Sequence, residues 1–172
     1  MSARLLTVFL SGWLLAGLAF SATEESTEVL AAGETGVSYS KSKLSAAVRI
    51  RARKLQQGVS DSDDASLLLK DCPGDRAPCS LVEDVRIEVN ETLLFVPRST
   101  FRGLSNVRVA KLTLVGSAFH LVLRGGDGSE GYVATIIFDK SRVFGRRIAS
   151  SLAPSDILEE ISYRRQKDSF DR

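Results

Sequence analysis

The stretch VRVAKLTLVGSAFHLVLRGGDGSEGYVATIIF, residues 107–138, decides the fold class of this 172-residue chain. Its apolar and polar residues alternate on either side of two turns, Gly116-Ser117 and the glycine-rich turn at 125–131. Period-two alternation bounded by turn residues is typical of strands joined as hairpins. Residues 132–138 are apolar at both parities, which predicts a central strand, and a phase slip at Ala110-Lys111 predicts a β-bulge.

Further strands are predicted on both sides of this stretch. Val85, Ile87 and Val89 alternate with charged residues, Asn90-Glu91 turns the chain, and residues 92–96 return as far as Pro97. Asn90 also begins a sequon for glycosylation, which matters only in a eukaryotic source. A last strand is expected near 142–148. Short strands joined by short turns favour an antiparallel meander of about five to six strands.

Helices are predicted around this meander. Leu44, Val48, Ala52 and Leu55 form an apolar stripe at helical spacing within 41–57. A short helix is expected over 65–69, one helical turn over 99–104, and a C-terminal helix that begins at Pro154-Ser155-Asp156. The fold class expected from the sequence is therefore α+β, with helices flanking the meander.

The N-terminus is typical of a secretory signal peptide. Residues 1–4 are short and basic, residues 5–20 are mostly apolar, and small residues suited to cleavage after Ala19, Ser21 or Ala22 follow. An uncleaved N-terminal anchor is the alternative. We expect a signal peptide over 1–22, a flexible leader and basic helix over 23–58, and one domain over 59–172. Localisation would be periplasmic or secreted, with no transmembrane span after cleavage.

Two cysteines, Cys72 and Cys79, flank a turn that contains Pro73-Gly74. Because an exported chain meets an oxidising compartment, this spacing predicts a structural disulfide loop. The pair does not have the CxxC spacing of a redox motif. With a single distant histidine, it also makes a poor zinc site.

Composition excludes several classes of function. Lys and Arg number 23 and Asp and Glu 21, so the nearly neutral charge does not favour nucleic-acid binding.

No catalytic set, metal site or cofactor motif is recognised. His120 lies opposite the apolar residues of its strand and is expected to face solvent or a covering helix. A small hydrolase that uses His120 or carboxylates such as Asp127 and Glu130 remains an alternative.

The glycine-rich turn spells GxGxxG but is followed by a strand, whereas a dinucleotide-binding loop must lead into a helix. It is instead a candidate partner-contacting tip, formed by Gly126, Asp127, Gly128, Ser129 and Glu130.

The predicted helix over 41–57 is rich in cations. These are candidate contacts for an anionic surface, with peripheral membrane contact as a possible role: Lys41, Lys43, Arg49, Arg51, Arg53 and Lys54.

Residues 85–148 resemble a type of small exported bacterial protein without assigned function. The residues that carry the resemblance are Val96-Pro97-Arg98-Ser99-Thr100-Phe101, the run from Arg124 to Tyr132, Phe138-Asp139 and Arg146-Arg147. The resemblance implies a periplasmic setting and supplies no active site. The leading hypothesis is an exported, non-catalytic module that binds another envelope protein, in some cases as an inhibitor. The hydrolase and anionic-surface interpretations are the alternatives, and the oligomeric state is open.

Overall fold

The structure of the protein is a computed structural model that describes residues 26–55 and 79–164. The described residues form two antiparallel sheets. The six-stranded sheet has the order β1-β6-β7-β8-β9-β10, and the four-stranded sheet has the order β2-β3-β4-β5. The strands are β1 (Ser26–Glu28), β2 (Gly33–Lys41), β3 (Leu44–Leu55), β4 (Cys79–Val89), β5 (Thr92–Leu93), β6 (Val109–Val115), β7 (Ala118–Gly125), β8 (Tyr132–Phe138), β9 (Val143–Ser150) and β10 (Ile157–Ser162).

The prediction of an α+β fold with flanking helices is wrong. Within the described ranges, the helical segments are two short 3-10 turns, Arg98–Thr100 and Gly128–Glu130. The first of them overlaps the predicted helical turn at 99–104 in Ser99 and Thr100. The predicted short helix over 65–69 and the signal peptide over 1–22 lie outside the described residues.

The predicted basic helix is strand β3. Its buried residues are Ala46, Val48, Ile50 and Ala52, and the residues between them are exposed. A spacing of four is a multiple of two, so the apolar stripe from Leu44 to Ala52 fits either period. Ala46 and Ile50 decide in favour of the strand. The leader before it, expected to be flexible, contains β1 and β2.

The predicted C-terminal helix is also a strand, because β10 pairs with β9 along the edge of the six-stranded sheet. Gly145 permits this close pairing, since a Cβ at Gly145 would lie 2.4 Å from the carbonyl oxygen of Ile161. The bulge expected at Ala110-Lys111 is absent, and the β6–β7 register runs unbroken. β8 is central, as predicted, with β7 and β9 on either side.

The core lies between the two sheets. The inward residues of β3 and β4 meet those of β7 and β8, with Ile50, Ile87, Leu121 and Ile136 completely buried. Tyr39 on β2 contacts the edge of the Phe119 ring, with 5.6 Å between ring centroids, and Phe119 stacks on Phe138 at 5.4 Å. Both sheets therefore share one hydrophobic core, and each has an outer face that no described residue covers.

Candidate protein-binding surface

The predicted partner-contacting tip lies at one end of the six-stranded sheet, between β7 and β8. Four of its five residues are exposed, from Asp127 to Glu130. The Arg108 guanidinium donates to the carbonyl oxygen of Gly126 at 2.7 Å and contacts the Asp127 carboxylate. The tip is thus exposed but held by Arg108, and one of its two acids, Asp127, is already paired.

The six candidate cations do not share one face. Lys41 ends β2 and Lys43 lies in the β2–β3 turn, whereas Arg49, Arg51 and Arg53 lie along the outer face of β3. Arg53 Nε lies 2.7 Å from a Glu83 oxygen. Arg51 lies 3.8 Å from Glu83 and 3.9 Å from Asp84.

Carboxylates on β4 thus compensate part of the positive stripe. Lys54 is exposed near the end of β3 and is paired in register with the buried Ser80, so it lies off that stripe.

The predicted disulfide stays a prediction, because Cys72 lies outside the described residues. Cys79 is buried at the first position of β4. This places any loop that ends at Cys79 beside the far end of β3, where Leu55 pairs with Cys79.

His120 and the acids of the glycine-rich turn do not form a catalytic site. His120 lies on the outer face of β7, beside Thr113 and Ile137 on the neighbouring strands. Asp127 lies beyond the end of β7, seven residues after His120, and seven residues of extended chain span roughly 20 Å. Within 26–55 and 79–164, no group of three His, Cys, Asp or Glu side chains could hold a metal ion.

A surface that the sequence analysis missed lies on the four-stranded sheet. Here β4 turns into β5 through Asn90 and Glu91, both at positive φ, and Asn90 Oδ1 accepts a hydrogen bond of 2.9 Å from Ser45 N. The chain then continues past β5 in an extended form and leaves the sheet at Pro97. Between this segment and β4 lies an open groove of about 660 Å³, which we call the β4–β5 groove. Its outward residues are Ala47, Arg49, Asp84, Arg86, Glu88, Leu93 and Phe95.

Leu93 and Phe95 form the apolar wall of the β4–β5 groove. The side chains alternate along this segment, so Leu94 is buried and Val96 packs against the core. Leu93 is consequently 67% exposed and Phe95 84% exposed. All four residues from 93 to 96 are apolar, and this run is the sequence feature from which the apolar wall could have been inferred. Only one face of this edge segment packs against the core. The apolar residues on its other face are therefore exposed to water.

The floor of the β4–β5 groove carries an unusual pair of arginines. Arg49 on β3 is directly opposite Arg86 on β4, and like charges in that position destabilise a sheet. Asp84 relieves Arg86, at 3.1 Å from its Nε. Arg49 and Glu88 have no ion pair with any described residue. The groove therefore offers one cation and one carboxylate beside an apolar wall.

Comparison with protein-family models, with curated proteins and with solved structures finds no match. Among the residues described, no helix is long and apolar enough to cross a membrane.

Proposed function

We propose that the chain is an exported, non-catalytic module that binds another protein through the β4–β5 groove. The observation that carries this proposal is the exposure of Leu93 and Phe95, at 67% and 84%. Contact of neighbouring apolar side chains with water is unfavourable, and burial of these side chains against a partner lowers the free energy. Aromatic and arginine side chains are the types that contribute most to protein interfaces.

The charges of the groove favour a protein over a polyanion or a lipid surface. Asp84 and Glu88 line it together with Arg49 and Arg86, so the lining has no excess positive charge to attract phosphates. A polypeptide can present an acid to Arg49, a base to Glu88 and an apolar side chain to Phe95. The N-terminal segment with its signal-peptide features supports export, which N-terminal sequencing of the mature protein would test directly.

The binding role is tested by cross-linking the tagged protein in its own cell envelope and quantifying the captured partner at low and high salt. Leu93→Ser is compared with Leu152→Ser, since Leu152 is 74% exposed on the six-stranded sheet side. We expect Leu93→Ser to reduce capture at least tenfold at both salt concentrations, because a buried interface anchor contributes about 2 kcal/mol or more. Leu152→Ser should capture as the unmodified protein does.

Equal capture by the two leucine variants would contradict the proposed site. Capture that disappears at high salt for every variant would instead indicate attachment through the exposed cations.

A further inference from the structure

The two sheets have four outermost strands among the described residues, and three of these are protected against pairing with another strand. β1 has three residues and β5 has two. β10 is longer, but it carries the adjacent acids Glu159 and Glu160. Short edges and edge charges are the usual means by which proteins prevent unwanted strand pairing.

β2 is the unprotected edge. It has nine residues, and the segment from Thr35 to Ser40 contains neither a charge nor a proline. The outward side chains are small: Gly36, Ser38 and Ser40 are all exposed, and a Cβ at Gly36 would meet nothing within 4 Å. No described residue pairs with the side of β2 that faces away from β3.

The hydrogen-bond pattern identifies which backbone groups of β2 face the open side. Ser45 N donates to Asn90 Oδ1, and Ser45 O accepts from Asn90 N, so the backbone of Ser45 faces β4. The next residue, Ala46, therefore faces β2, where it is paired with Tyr39. Alternation along an antiparallel ladder then directs the N–H and C=O groups of Ser38 and Ser40 to the open side.

We propose that β2 pairs antiparallel with β2 of a second copy of this chain, about a two-fold axis at Val37. In this register Gly36 lies opposite Ser38 of the other copy, and Thr35 lies opposite Tyr39. Each pair joins residues of the same face, because Thr35 and Val37 are buried, Tyr39 is partly buried, and Gly36 and Ser38 are exposed. The two four-stranded sheets would form one continuous sheet of eight strands.

The sequence of β2 is self-complementary in the way that an isologous contact requires. Its one acid in this register, Glu34, lies opposite the uncharged Ser40, so no like charges meet. The corresponding antiparallel pairing of β10 would bring Glu159 and Glu160 of the two copies together. This difference favours β2 over β10 as the paired edge. Because β2 is complementary to its own sequence in this register, a second copy of the chain supplies the whole partner strand.

A two-fold axis perpendicular to the sheet keeps both outer faces on the same side. The two β4–β5 grooves would then lie side by side, roughly 30 Å apart at the usual strand spacing. A dimer would thus present two copies of the proposed binding surface to one partner. The association itself does not depend on the groove.

Sedimentation velocity of the purified protein, from low micromolar to several hundred micromolar, tests the proposal. Ser38→Pro removes one N–H donor from the open side of β2, a position where an edge strand tolerates proline. Ser162→Pro is the matched control on β10. Tyr163 N donates to Phe144 O, so by alternation the N–H of Ser162 faces away from β9. Ser38→Lys is a second variant that keeps the backbone donor and adds a protective edge charge.

We expect a dimer for the unmodified protein and for Ser162→Pro, and at least a tenfold weaker dimer for both Ser38 variants. Circular dichroism verifies that each variant is folded. A monomer at every concentration would overturn the proposal. So would a dimer that the Ser38 variants leave unchanged, or one that Ser162→Pro weakens equally.

Discussion

The two sheets differ in what their side chains do. In the six-stranded sheet, long side chains bond to the backbone of the connection that joins the sheets. Arg146 donates to the carbonyl oxygens of Ser99 and Arg102 at 3.1 and 2.6 Å. The Tyr132 hydroxyl donates to the carbonyl oxygen of Ser105 at 2.7 Å. These contacts are internal, and they attach the six-stranded sheet to the connection between the two sheets.

The four-stranded sheet leaves comparable groups without internal partners. Phe95 and Leu93 are exposed, Arg49 lies opposite another arginine, and no described strand pairs with the open side of β2. The proposed binding role therefore places residues for association on the four-stranded sheet, apart from these internal contacts. Substitutions should then separate the two properties, and the following expectations test that separation.

The largest effect is expected in the shared core. Phe138→Ala removes a completely buried ring that stacks on Phe119, and should lower the free energy of unfolding by about 3–5 kcal/mol. Phe95→Ala is the control, because the same substitution at an 84% exposed position should change stability by about 0.5 kcal/mol or less. Urea unfolding followed by circular dichroism measures both, and equal losses would contradict the assignment of Phe95 to the surface.

A smaller loss is expected at Arg146. This side chain is 5% exposed and also lies 3.0 Å from Glu159. Arg146→Met leaves two carbonyl oxygens without their donor, which should cost about 2–3 kcal/mol. The neighbouring Arg147 is exposed, so Arg147→Met should have little effect in the same unfolding experiment. A stable Arg146→Met variant would show that water replaces the guanidinium.

The turn between β8 and β9 should give the protein a modest pH dependence. Partial burial alone would raise the pKa of Asp139. Hydrogen bonds from the Ser141 hydroxyl and from the backbone of Ser141 and Arg142, with the charge of Arg142, instead hold it below its usual value. A carboxyl group with a lower pKa in the folded protein stabilises the fold at pH values above its unfolded pKa of about 3.9. This stabilisation is lost as the pH falls through the folded pKa.

Thermal unfolding between neutral and acidic pH should therefore show a decline in the unmodified protein that is smaller in Asp139→Asn. Identical pH profiles for the two proteins would exclude this contribution.

The smallest effect is expected at Arg49. Arg49→Gln removes a like-charge contact with Arg86 and should raise the free energy of unfolding by about 0.5 kcal/mol, a gain that salt diminishes. Arg53→Gln removes an ion pair of 2.7 Å with Glu83 and should lower stability slightly. A stability loss for Arg49→Gln would show that Arg49 has a structural partner and would weaken the comparison between the sheets.

The sequence identified most of the strands after residue 82 because their alternation coincides with clear turns. It failed for β3, where Leu44, Val48 and Ala52 satisfy both the helical and the extended period. It failed for β10 because an edge strand with one weakly buried face lacks a clear alternation. There the pairing with β9 decides the structure, and that pairing depends on the absence of a side chain at Gly145.

The candidate surface could not be predicted to the same extent. Arg49 was identified as a cation, but its position opposite Arg86 depends on the register of β3 and β4. Leu93 and Phe95 belong to an apolar run that predicts burial. Their exposure follows from the three-dimensional arrangement, because no described element covers the outer face of the four-stranded sheet.

Hydrogen exchange of the protein, alone and with its captured partner, tests the central claim most directly. We expect the partner to slow exchange in peptides that cover 45–50 and 84–96, and to leave 118–138 unchanged. Slowed exchange confined to 118–138, where the glycine-rich turn and the outer face of the six-stranded sheet lie, would contradict the assignment of recognition to the four-stranded sheet.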